Sequence, residues 1–257
     1  MIEHMFKSKR YCSIIMSAQE VLPLFVLPMV LLPGEIQQLR VYEPRYRQML
    51  DDCLLEEKSF GLVLNDPEIK YNGWDGPKEY GCEAEIIHHE TIGSNHFIEI
   101  IGKRRFIINE VINPALPPFS DESMSDLIPD IGILPDLETI MERVPEGSEY
   151  HKLYLAGKVE YIVEKIQMSE EEEEDLKKLI SSVLIKIGSD VIQVEPDILE
   201  QWVSDRVSII FDNDSETIYT IISMLVNDLD TKHSLLSKNN NQDIIDEVID
   251  IMQKMVQ

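Results

Sequence analysis

Four groups of side chains in this sequence carry chemistry worth weighing. The first is His88-His89-Glu90, with His96 across a predicted turn at Gly93-Ser94-Asn95. Imidazoles and a carboxylate are the donors that hold zinc. Adjacent strand residues point to opposite faces, so His88 and His89 cannot easily share one ion. One of them can meet His96 across the hairpin, but two solvent-facing histidines at a strand end are the simpler expectation. The second group is Lys103-Arg104-Arg105, the one dense basic patch. It has the charge to hold an anion or a phosphate backbone. With 48 acids against 23 bases, pairing with nearby carboxylates is the expectation, and Gly102 permits a bulge or a positive φ before the next strand.

The third group is Cys12, Cys53 and Cys82. They are far apart, odd in number and form no CxxC, so neither a zinc site nor a disulfide framework is indicated. Cys53 and Cys82 sit on apolar faces and read as small core residues, which fits a reducing cytoplasm. The fourth group is Tyr71 and Trp74, two aromatics in a polar stretch over residues 68–79 that contains Asn72-Gly73 and Asp75-Gly76-Pro77. They are the candidate binding residues, because an exposed aromatic makes a good contact. Packing onto the body of the fold is the competing reading.

Other chemistry has no support. The sequence holds no GxSxG, no GxxxxGK[ST] and no HExxH, so no catalytic residue, metal ligand or cofactor is assigned. The net charge of −25 repels phosphate and makes nucleic acid a poor first partner. It favours solubility, basic partners, or unfolded chains held by apolar contacts. The most apolar run, residues 21–32, is too short to span a bilayer and carries two prolines. Residues 1–20 read as a flexible tail. Lys7, Lys9 and Arg10 before the apolar residues 12–16 mimic a signal peptide only weakly, and Met16 is an alternative start.

These groups hang on a short organising stretch, residues 22–50. It reads strand, Pro33-Gly34 turn, alternating strand, then a helix opened by Pro44. Tyr46, Met49, Leu50, Cys53 and Leu54 fall on one helical face, and the helix ends near Lys58. Short apolar strands follow at residues 60–64, 80–87, 97–101 and 106–111, with turn residues between them. That spacing predicts an antiparallel barrel or sandwich. Residues 113–147 break the rhythm with five prolines before Met141 and many acids; they read as an insertion or long loop, the most mobile part, with a brief helix at 137–144. Residues 150–163 resume strand-like composition.

From Ser169 the period turns helical. Ser169 and Glu172 form a capping box, and the acids at 170–175 sit at the positive end of the helix dipole. Leu176, Leu179, Ile180, Val183 and Ile187 line one face. Pro196 opens a second helix with Ile198, Leu199, Trp202 and Val203. Ser215 caps a third, running through Ile218, Ile221, Ile222, Leu225 and Leu229. Ile244, Ile245, Val248, Met252 and Met255 line a fourth. Four such helices bury their stripes on one another.

Six of these motifs, in order, resemble the LON substrate-binding domain, the N-terminal domain of the ATP-dependent protease Lon, which also occurs alone. They are Leu22-Pro23-Leu24-Phe25 with Pro28 and Pro33-Gly34; Tyr42-Glu43-Pro44-Arg45-Tyr46; Phe60-Gly61-Leu62-Val63-Leu64; Gly81-Cys82-Glu83-Ala84; Gly102-Lys103-Arg104-Arg105-Phe106; and Tyr154-Leu155-Ala156 with Val159-Glu160. Lys232-His233-Ser234-Leu235-Leu236 is similar to the segment before the final helix of standalone members. Cys82 stands where the family usually has threonine.

The resemblance covers residues 21–257. It implies an α+β fold: a PUA-like antiparallel β-barrel over residues 21–165, interrupted at 113–147, then a helical bundle over 166–257. It also implies a role in recognising polypeptides or partner proteins. Lon's ATPase and protease domains have no counterpart in this sequence, so proteolysis is not carried over. The expected function is a non-catalytic module that binds unfolded polypeptide or a partner protein, as a substrate adaptor or a chaperone-like protein. RNA binding through the PUA-like barrel is the alternative. Glu43, Pro44, Arg45 and Tyr46 read as structural, a helix start docked on the barrel.

Overall fold

The computed structural model describes residues 20–93, 95–127, 135–162, 168–191, 195–212 and 216–256. The tail at 1–19, Cys12, Met16 and the Ser215 cap lie outside these residues. Six strands form one sheet: β1 (Glu20–Leu27), β2 (Ile36–Val41), β3 (Phe60–Tyr71), β4 (Trp74–Ile92), β5 (Asn95–Ile112) and β6 (Ala156–Tyr161), in the order β2-β5-β4-β3-β1-β6. β6 also pairs with the second half of β5, so the sheet returns on itself while β2 stands outside the circuit. The result is barrel-like without being cleanly closed.

The sheet is mixed, not antiparallel throughout, because β1 and β3 run parallel with Val26 opposite Val63. Parallel neighbours need a long crossover, and β2 with helix α1 (Pro44–Glu56) supplies it. The barrel interior is filled from both ends of β1. Phe25 packs with Tyr46, Phe60 and Ile100, while Leu22, Leu24 and Phe106 fill the other end.

Two long strands replace two expected breaks. The polar stretch at 68–79 is the end of the β3–β4 hairpin, turned by Asn72 and Gly73 at φ 47° and 83°. Asn-Gly is the pair that accepts positive φ at both turn positions. Its polarity reflects a ribbon projecting into solvent. Residues 102–105 are likewise interior to β5. Lys103 and Arg104 form a bulge there, since Gly102 pairs with Ala84 and Arg105 with Cys82 across the single residue Glu83. Gly102 is required for closeness, as an added Cβ would lie 2.1 Å from the Leu32 carbonyl oxygen. Its N–H donates to Glu35 O and its carbonyl accepts from Gly34 N, both at 2.9 Å, which clamps the Pro33-Gly34 turn onto β5.

Residues 113–147 are packed over their described parts. Leu116, Met124, Ile140 and Leu153 are buried together, with Phe119, Leu127, Leu137, Met141 and Val144 around them. A 3-10 turn (Glu122–Leu127) and helix α2 (Leu137–Met141) carry these side chains. Burial at roughly 1.5–3 kcal/mol per large apolar side chain is enough to order a short segment. Two of the prolines sit in turns, where the Pro118 carbonyl accepts from Asp121 N and the Pro145 carbonyl from Ser148 N. Of residues 150–163, only Ala156–Tyr161 is strand; Leu153, Tyr154 and Leu155 are buried without strand pairing, and Val163 lies outside the described residues.

Five helices follow: α3 (Glu170–Val191), α4 (Pro196–Phe211), α5 (Thr217–Leu225), α6 (Leu229–Ser237) and α7 (Asn241–Val256). The expected third helix is two. α5 stops at Leu225, and Asp228 starts α6 by accepting from Thr231 N at 2.8 Å. The Ser169–Glu172 box forms as expected, with Ser169 N donating to Glu172 Oε2 at 2.8 Å. The helical core includes Val30, Leu32 and Leu64 from the strand region, so helices and sheet share one interior. The expected stripes are buried in part only. Leu199 and Val203 are buried, but Ile198 is 61% and Trp202 54% exposed, and Ile187 emerges at 41%. No described helix is long and apolar enough to cross a membrane.

Candidate functional site

The candidate site is built on the start of α1. Pro44 occupies the first helical turn, so Tyr46 and Arg45 leave the helix in different directions. Tyr46 turns inward, where it is 1% exposed and its hydroxyl donates to Val26 O at 2.8 Å. Burial pushes that hydroxyl well above the usual phenol range. Arg45 turns outward. Its Nε donates to Glu43 Oε2 at 3.1 Å, and its guanidinium lies 3.7 Å from the Trp74 ring centroid and 4.1 Å from that of Tyr46. A guanidinium held between two rings and one carboxylate is a rigid wall.

Trp74 comes from the β3–β4 hairpin and is fixed by its indole N–H, which donates to Leu116 O at 2.9 Å. Beside it, Asn72 Nδ2 donates to Pro114 O at 3.0 Å. The hairpin tip therefore holds the beginning of the 113–147 segment. Gln48 holds that segment from α1, as its Nε2 donates to Met141 Sδ at 3.3 Å, while its Oε1 accepts from Leu153 N at 2.7 Å just beyond the segment. Between these parts lies a cleft of about 300 Å³. Glu43, Arg45 and Trp74 form one side; Leu116, Pro117, Pro118 and Phe119 form another, over a floor of Met124, Ile140 and Leu153. The volume is at the small end of the roughly 300–1,000 Å³ typical of ligand sites. Among the described residues the lining has no histidine, cysteine or lysine, and its one hydroxyl is Ser120. Such a cleft takes an apolar side chain and offers a charged rim for the backbone beside it.

Of the two aromatics expected to bind, Trp74 lines this cleft and Tyr71 does not. They are direct partners in the hairpin, yet Tyr71 faces a more open hollow with Asp66, Lys78, Glu79 and His233. Both are partly packed against the barrel core. Glu43, Arg45 and the Leu116-Pro117-Pro118-Phe119 wall also line the cleft and were not among the expected binding residues. Their available signal was a proline pair flanked by apolar side chains inside an acidic segment.

The histidines are brought together as one of the two arrangements weighed above. His89 Nε2 lies 2.9 Å from His96 Nδ1, and the rings stack. His96 is buried at 7% exposure, against the solvent-facing expectation, because β2 and α1 cover it. Asp51 lies 3.9 Å from its other nitrogen. No group of three or more potential metal ligands occurs among the described residues.

The basic patch splits. Arg104 pairs with Glu83 at 2.6 Å and Lys103 with Glu85 at 3.1 Å, as expected. Arg105 pairs with no acid among the described residues; it is 2% exposed, and its Nη1 donates to Leu236 O at 2.9 Å and Lys238 O at 2.6 Å. The argument for a phosphate-binding face at these residues therefore has no free cation behind it. Cys53 and Cys82 are buried free thiols; burial pushes Cys53 up to about 12 and Cys82 higher still.

Three comparisons bear on this arrangement. The family model described as the ATP-dependent protease La (LON) substrate-binding domain matches residues 21–254. A Lon N-terminal domain protein from Xanthomonas campestris has a similar structure, with a TM-score of 0.53 at 19% identity, covering 90% of this chain and 98% of that one. The N-terminal domain of the Mycobacterium avium complex Lon protease gives 0.51 at 14% identity, covering 91% and 98%. At these identities the likeness is one of fold. Comparison with curated protein sequences gives no match.

Proposed function

This chain belongs to the LON substrate-binding domain family, and from that membership we propose that it is a non-catalytic polypeptide-binding module acting as a substrate adaptor or chaperone-like protein. The reading adds to the family's substrate-binding character a specific place: the cleft between α1, the hairpin and the 113–147 segment. The observation that carries it is the Arg45–Trp74 wall facing Leu116, Phe119 and Met124. Such a cleft accepts one bulky apolar side chain of an extended chain and needs no defined sequence around it. The buried free thiols are in keeping with a cytoplasmic protein.

The test is a titration of fluorescently labelled, permanently unfolded casein without ATP, at two salt concentrations. Apolar capture predicts saturable binding that survives the higher salt. Phe119→Asp puts a charge into the cleft at a half-exposed position and should weaken that binding at least tenfold. Binding that is absent, or indifferent to Phe119→Asp, would defeat this reading.

A further inference from the structure

We propose that α3 and α4 form a second docking surface, separate from the first cleft, that takes a basic amphipathic helix of a partner protein. α3 carries an apolar stripe through Leu176, Ile180 and Val183, all buried in the helical core. The stripe continues through Ile187 and Val191, where the covering helices end; these are 41% and 76% exposed. α4 has a second exposed line, Ile198, Trp202 and Ile209, at 61%, 54% and 62%. Positions 198, 202 and 209 recur at helical spacing, so they fall on one face.

The two lines flank a groove of about 290 Å³ whose lining is Leu184, Ile187, Gly188, Val191, Ile198, Leu199 and Trp202. Gly188 makes it possible. An added Cβ there would lie 2.6 Å from Leu199 Cδ1, so the helices cross closely and leave Ile187, Ile198 and Trp202 standing as walls. Ile198 to Ile209 extends about 16 Å at about 1.5 Å per residue. That length matches roughly three turns of an added helix and exceeds what a single side chain would use.

Charge decides what kind of helix. Asp190, Asp197 and Asp205 are exposed on these two helices, with Glu195 exposed just before α4, and Asp205 lies in line between Trp202 and Ile209. The exposed bases at this end are Lys186 and Arg206, and Lys186 already donates to Val256 O. Apolar walls rimmed by acids fit an amphipathic helix whose apolar face is bordered by lysine or arginine. An acidic copy of this chain is disfavoured by the same charge.

The probe is a fluorescein-labelled fourteen-residue Leu/Lys peptide patterned as an amphipathic helix, followed by anisotropy. Two controls are a scrambled peptide of the same composition and a Leu/Glu peptide of the same pattern. The expected result is binding at micromolar concentration that falls at least tenfold for either control. Ile198→Ser and Trp202→Ser change exposed side chains, so the fold should hold by circular dichroism, and each should weaken the peptide at least tenfold. Phe119→Asp should leave peptide binding unchanged, which separates this surface from the first cleft. Equal binding of the scrambled peptide would show charge attraction alone and overturn the proposal. So would insensitivity to both serine variants, or a dimer in sedimentation that the serine variants abolish.

Discussion

Arg105 offers the sharpest test of how sheet and helices are joined. Its guanidinium leaves β5 and ends against the last carbonyls of α6, at Leu236 and Lys238. Those carbonyls lack intrahelical partners, as all helix C-terminal carbonyls do. The cation completes them and lies 5.9 Å from the Tyr219 ring of α5. In Arg105→Met the stem's packing is largely kept and both bonds are lost. Charge-assisted bonds are worth about 1.5–3 kcal/mol each, so the loss sums to about 3–6 kcal/mol. Relief of the buried cation's desolvation offsets part of this, and about 3 kcal/mol remains. At about 2–4 °C per kcal/mol for a chain of this size, the melting temperature should fall about 6–12 °C. The control is next door: Arg104 pairs with Glu83 while its side chain is 53% exposed. Glu83 is 12% exposed and accepts both Arg104 bonds, so Arg104→Met should cost about 1–2 kcal/mol, less than Arg105→Met. Urea unfolding measures both, and hydrogen exchange should show α6 losing protection first in Arg105→Met. Equal losses for the two arginines, or unchanged protection in α6, would refute this account of the junction.

Two further outcomes are expected. Gly102→Ala places a methyl group against the Leu32 backbone at 2.1 Å, where no side chain can swing away. Overpacking that moves backbone costs at least about 1–3 kcal/mol, read as a lowered urea midpoint. Burial holds His96 below its ordinary pKa, opposed by Asp51 and assisted by His89 and Arg47. The unfolded chain therefore binds a proton that the folded chain resists. Stability from this site is full above about pH 6.5 and declines as pH falls toward the folded value. His96→Gln should flatten that part of the pH–stability curve, leaving a smaller slope from His233, which burial lowers in the same sense.

The strand-then-helix order was legible because period-two and helical patterns are local. Tyr46, Met49, Leu50 and Cys53 share a face in sequence and are buried together in the molecule. What depends on distant partners was not legible. The parallel β1–β3 pairing follows from where the α1 crossover returns the chain, and nothing in residues 60–64 encodes it. The break between α5 and α6 was hidden because Leu225 and Leu229 keep helical spacing across Asp228, whose cap ends the continuity. The packing of the described parts of residues 113–147 was hidden too, since a proline that breaks regular structure need not break packing. Lys103-Arg104-Arg105 looked uniform, but a bulged strand sends its arginines to different fates, one to Glu83 and one into the helices.

The same division of labour explains why half of the cleft's lining is not legible in its own motif. Glu43-Pro44-Arg45-Tyr46 does start a helix docked on the barrel, as expected, and Tyr46 carries that role through its bond to Val26. One residue earlier, Arg45 has no place in the core. It is held by Glu43, Tyr46 and Trp74 at the mouth of the cleft, with its side chain 14% exposed. Docking and presentation are thus one operation: burying Tyr46 fixes the helix rotation, and the rotation aims Arg45 at Trp74. The hairpin must then be long enough to bring Trp74 to that spot, and its tip must grip Pro114 and Leu116 to raise the opposite wall. A site assembled this way has no signature within any one segment, because each wall is made by a segment whose local pattern states only how it folds.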